Sequence, residues 1–127
     1  MSYRNAFAVL RETGRIWAIG SIHGEADRLR ALHQKLTLVL QPDDRVVYLG
    51  NYLGYGPDVI GTVDELLSFR RAFLARPTYV DINDFVLLRG SQEEMWQRVL
   101  QLQFAVDPIE VITWMAERGL PATLQAY

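Results

Sequence analysis

The polar side chains able to do chemistry are concentrated in three short stretches, each directly behind an apolar run. These are Gly20-Ser21-Ile22-His23-Gly24, Gly50-Asn51-Tyr52-Leu53-Gly54-Tyr55-Gly56 and Gly90-Ser91-Gln92-Glu93. His23 is a metal ligand or proton carrier by type. Asn51 offers an amide oxygen, and Asp58, Glu93 and Glu94 are the acids nearest these stretches in sequence. Together His23, Asn51, Asp58 and Glu93 make a conceivable single-metal site of nitrogen and oxygen donors. Each also has a structural reading. His23 can organise its loop through a hydrogen bond, and Asn behind a strand is ordinary turn chemistry. Glu93 and Glu94 suit a helix N-terminus. Arg89 can attract a phosphate, or it can close a surface ion pair. With no cysteine and two histidines, thiolate chemistry and a multi-histidine metal centre are excluded.

These stretches need a scaffold that brings them to one edge, and the pattern supplies it. Arg15–Gly20, Arg45–Gly50 and Phe85–Leu88 read as strands, apolar on both faces as a parallel sheet requires. Leu29, Leu32 and Leu36 mark a first helix, and Ile60, Val63, Leu66 and Leu67 a second. Ser91 and Glu94 predict a capping box on a third. Asp107-Pro108 opens a fourth as cap and first helical residue, and Gly119 stops it. Leu74–Asn83 reads as an edge strand or a loop, and His33 as a helix-surface residue. Asp43, Asp44, Asp81 and Asp84 precede strands, so they lie at the end of the sheet away from the three stretches. Alternating strands and helices predict an α/β fold with a parallel sheet over one domain, residues 1–127.

In such sheets ligands sit beyond the carboxyl ends of the strands. The three stretches, in this order behind successive strands, resemble the calcineurin-like metallophosphoesterases, in particular the bacterial serine/threonine protein phosphatases. That family carries Gly-Asp-x-His-Gly, Gly-Asp-x-x-Asp-Arg-Gly and Gly-Asn-His-Glu. The closing run Trp114–Tyr127 is similar to the same branch, so the likeness extends from about Arg15 to the last residue. It implies half of a metallophosphoesterase-type sandwich, because the chain ends where the family's second half begins.

The resemblance also implies what is missing. The family's metal-binding Asp of the first motif is Ser21, and the Asp that bridges two ions is Asn51. The next Asp and the phosphate-binding Arg are Gly54 and Tyr55. The metal-binding Asn is Ser91, and the general-acid His is Gln92, which has no titratable proton. Metal charge, phosphate clamp and acid are lost together. The expectation is a pseudophosphatase, a hydrolase fold without turnover that acts as a binding or scaffold module and needs no cofactor. The alternative is a weak phosphoesterase on His23, Asn51, Asp58 and Glu93 with loosely bound manganese or another divalent ion. A third is a degenerating half-fold without a selected role.

Composition bounds the rest. At 127 residues, 50% hydrophobic and 22% charged, the chain reads as a globular domain able to bury a core. A net charge of -2 supplies no basic field for nucleic acid or an anionic membrane. No apolar run is long enough to span a bilayer, and Met1-Ser2-Tyr3-Arg4-Asn5 begins no signal peptide, so a cytoplasmic protein is expected. A half-sandwich with apolar strands must cover its second face, either with its own terminal helices or with a second copy. Homodimerisation is the expectation, with Trp96, Trp114 and Tyr127 as anchors, beside a possible further protein partner.

Overall fold

Three strands pair in parallel in the order β1-β2-β3: β1 (Arg15–Ile19), β2 (Asp44–Tyr48) and β3 (Phe85–Leu87). The computed structural model describes residue 10 and residues 14–127; Met1–Asn5, for which no signal peptide is expected, lie outside the described residues. Each connection between strands carries a helix, α1 (Ala26–Val39) and α2 (Val59–Leu74). Parallel strands need such crossovers, since a tight turn cannot return the chain to the same end. After β3 come three short helices, α3 (Ser91–Val99), α4 (Pro108–Ala116) and α5 (Leu120–Ala126). Among the described residues no helix is long and apolar enough to cross a membrane.

The main core lies between the sheet and α1 with α2. Ile19, Val46, Tyr48 and Phe85 meet Leu29, Leu36, Leu66, Phe69 and Phe73 there. Pairing Trp17 with Val46 and Val46 with Phe85 puts all three on this face. The opposite face is not covered in the same way. Ile16, Leu49 and Leu88 alternate onto it and are exposed, so β1 is buried on one side only, contrary to the two-sided burial expected of it. The terminal helices do not fold back over this face as an internal cover. They pack on one another and on α2, around Met95, Met115 and Leu120.

Three local expectations are corrected. His33 is buried at 3% exposure rather than on the helix surface. Its Nδ1 lies 2.6 Å from Glu65 Oε1, its Nε2 2.6 Å from the Tyr48 hydroxyl, and its ring stacks on Phe69. Burial lowers its pKa, against the pull of Glu65. With both nitrogens partnered, the imidazole takes a core position, while Leu32 on the same helix is exposed. In α2 the buried stripe is Val59, Thr62, Leu66, Phe69 and Phe73. Ile60 and Leu67 face water, because the stripe that ends in the aromatic residues Phe69 and Phe73 is the one that packs on the sheet. Of the two readings of Leu74–Asn83, the loop is the one present; it leads into a 3-10 turn at Ile82–Asp84 capped by Asp81. The third correction, at the cap of α3, bears on the site.

Candidate functional site

Because the strands are parallel, their carboxyl ends share one edge of the sheet, and the three polar stretches converge there. β2 is central, so its loop meets both others. The amides of Ile22 and His23 donate to the Asn51 carbonyl at 3.0 and 2.8 Å, and Gly24 donates to Tyr52 at 2.9 Å. The Asn51 side chain then reaches both ways. Its Nδ2 donates to Ser21 Oγ at 3.1 Å, while its Oδ1 accepts from Ser91 Oγ at 3.2 Å and from the Gln92 amide at 3.1 Å. One neutral amide thus ties the three loops together. The amide serves Ser21 as donor and Ser91 and Gln92 as acceptor.

Glu93 completes the junction from α3. Its carboxylate accepts from the backbone amides of Asn51 at 2.6 Å, Tyr52 at 3.2 Å and Gly90 at 3.2 Å. This corrects the expected cap. The helix is capped at Gly90 and closed by Glu93, whereas Ser91, its first residue, turns to Asn51. Glu94 pairs instead with Arg89 at 3.4 Å, and Arg89 also donates to Gln97 at 2.6 Å. Its guanidinium is therefore held against α3. The loops touch backbone to backbone here: a side chain at Gly90 would strike the amide of Asn51, and one at Gly50, at φ +103, would strike Gly90. Glycine is required at both for this close approach.

The remaining positions are arranged around this hub. Gln92 is buried, donates from Nε2 to the Arg118 carbonyl at 2.7 Å, and fills the space beside Gly54. Tyr55 is exposed and meets His23 edge-on with ring centroids 5.2 Å apart. Asp58 caps α2, accepting from Gly61 at 2.8 Å. His23 keeps an open valence: among the described residues its buried Nδ1 has no hydrogen-bond partner. Its loop position is held by its backbone amide. Of the four sequence candidates, Asn51 and Glu93 meet at one junction, whereas Asp58 serves a helix terminus. Among the described residues no group of three His, Cys, Asp or Glu is placed to hold a metal ion.

His23, Asn51 and Tyr55 all have left-handed backbones, at φ 50, 58 and 58, and among the described residues no other non-glycine does. Such conformations cost about 1 kcal/mol or more each and cluster at sites whose surroundings fix them. Sequence reasoning missed this strain and missed Tyr52, whose hydroxyl donates to the Leu88 carbonyl at 2.7 Å. The role of Glu93 had a signal: an acid at the third helical position behind a Gly cap can reach back to the cap amide. No protein-family model, curated protein or solved structure matches the chain.

Proposed function

We propose that the chain is a phosphatase-like half-domain without turnover, a pseudophosphatase that acts as a binding or scaffold module. The observation that carries this reading is the use made of Asn51 and Glu93. At the junction where the resembled family holds metal ions, the amide of Asn51 is occupied by Ser21, Ser91 and Gln92, and the carboxylate of Glu93 by three backbone amides. A carboxylate so occupied holds loops in place and has little donor capacity left for a cation. Gln92 supplies no acid for a leaving group, and Arg89 is held by Gln97 and Glu94. Metal analysis of the purified protein, with an aryl phosphate assay in manganese, tests it. Neither stoichiometric metal nor turnover is expected. Turnover abolished by His23→Ala would overturn it.

One observation favours a second reading, a weak metal-dependent phosphoesterase. The buried Nδ1 of His23 lacks a partner, as a metal-ligating nitrogen would without its ion. Lacking a general acid, such a site would act on good leaving groups only. Hydrolysis of activated esters but not of phosphopeptides is its signature. For the first reading, assembly is part of the work: the module acts as a homodimer in the cytoplasm, with a protein partner beyond it.

A further inference from the structure

The largest anomaly in the molecule is on α4 and the turn before it. α4 reads Pro-Ile-Glu-Val-Ile-Thr-Trp-Met-Ala, yet Met115 is its one buried residue. Val106 is fully exposed, Phe104 is 79% exposed, Ile109 77% and Leu100 70%, and Ile112 joins Ile109 one turn along the same face. These five residues, backbone included, leave roughly 700 Å² open to water, comparable to the ~300–600 Å² of the largest apolar patch on a soluble monomer. A standard interface buries ~800 Å² per partner. The patch, together with the groove beside it, approaches what one partner of a stable dimer buries.

Two further features make it fit a copy of itself. Beside the exposed ridge runs a groove of about 330 Å³ between α4 and the 3-10 turn at Leu102–Phe104, lined by Leu102, Phe104, Ala105 and Val111. A twofold contact requires one surface to carry both a projection and its receptacle. At one end of the groove stands Arg98, and on α4 stands Glu110; among the described residues neither side chain has an ion-pair or hydrogen-bond partner. Opposite charges left unpaired within one copy are available to pair across a twofold axis, Arg98 of each facing Glu110 of the other.

We infer that a second copy of this chain docks here, through the Val106–Ile109–Ile112 ridge and the groove beside it, and not through the open face of the sheet. The inference rests on the reading of the chain as a self-assembling module, but its test reads mass and not turnover, so the two fail separately. Light scattering on the full chain should give twice 14.6 kDa, falling toward the monomer on dilution. Ile109→Glu should give monomer at every concentration and keep a cooperative melt, at the temperature of the diluted wild-type monomer, because the residue is exposed in the single copy. Arg98→Glu and Glu110→Arg should each weaken the dimer by tenfold or more, and the double reversal should recover it. Three outcomes would overturn the proposal: a monomer at all concentrations, a dimer indifferent to Ile109→Glu, or one abolished by Leu49→Glu on the sheet face while Ile109→Glu leaves it intact. Recovery by the double reversal separates a second copy from any other partner, since only a self-contact contains both residues.

Discussion

The two ends of the sheet hold polar clusters of opposite character. At the amino end charges are dense and buried. Arg45 and Asp84, both essentially inaccessible, pair at 2.7 Å. Asp44 accepts from Arg15 at 2.7 and 2.9 Å, from the Trp17 indole at 2.8 Å and from the Gln41 amide at 2.9 Å. At the carboxyl end the groups that meet are neutral, Ser21, Asn51, Ser91 and Gln92, and the single carboxylate among them is filled by backbone amides. Ligands of α/β sheets bind at the carboxyl end. A phosphoesterase would need its charge there, to hold metal and substrate. In this chain the buried ion pairs hold the scaffold, and the three loops are tied to one another by hydrogen bonds.

The largest expected effect is therefore far from the candidate site. Asp84→Ala leaves the Arg45 guanidinium buried without its counter-ion, which costs about 3–5 kcal/mol. Urea unfolding should show the midpoint collapse. A loss no larger than that of a surface substitution would mean that the amino-end cluster is not what fixes the sheet. Next comes Glu93→Ala, which frees three backbone amides at the junction and should cost about 1–3 kcal/mol. Its unfolding midpoint should lie between those of the wild type and Asp84→Ala. A Glu93→Ala loss exceeding that of Asp84→Ala would reverse the comparison.

Much of this contrast was legible in the sequence. Gly20, Gly50 and Gly90 closing three apolar runs sufficed to bring the loops to one edge, because parallel strands leave no other arrangement. Asp107-Pro108 marked a helix start that the structure contains, with Asp107 accepting from Glu110 at 3.0 Å. The amino-end cluster was legible only as acids at the far end of the sheet. Nothing local in sequence pairs Arg45 with Asp84, residues that meet only once β2 and β3 are adjacent. His33 was misplaced by its residue type: it stands four residues after Leu29 and three before Leu36, on the buried stripe of α1. Only its partners Tyr48 and Glu65, from a strand and another helix, leave no local record.

Proton linkage gives a smaller effect with a defined direction at each location. Burial pushes the Asp44 carboxyl up, but Arg15, the Gln41 amide and the Trp17 indole together hold it at about 2, below its ordinary 3.8. Its folded pKa is depressed, so its contribution is complete above the unfolded value and is lost as pH falls from about 4 toward 2. His33 titrates earlier. Its folded pKa lies below 6.5, so the unfolded chain binds the proton first and stability declines as pH drops beneath 6.5. Melting temperature against pH should thus fall in two stages. His33→Gln should remove the upper stage and leave the lower one. A single acid transition unaffected by that substitution would show that the buried imidazole does not contribute to stability in this way.

The smallest expected effect is at Asn51, and it probes the carboxyl end most directly. Asn51→Asp puts a carboxylate where the resembled phosphatases bridge two ions. The acceptor oxygen toward Ser91 and Gln92 is kept, and the Ser21 hydroxyl can turn from acceptor to donor, so every contact of the hub has a replacement. The new charge lies close to Glu93, whose carboxylate shares the Asn51 amide, and that repulsion offsets part of the gain. Stability should change by no more than about 0.5 kcal/mol. Manganese uptake should not follow, because Ser21, Ser91 and Gln92 add no anionic donor beside it. Isothermal titration with manganese on wild type and variant checks this. Stoichiometric binding by Asn51→Asp alone would mean that the loop end lacks one charge and not a whole ligand set, and the weak phosphoesterase would then become the better account of His23.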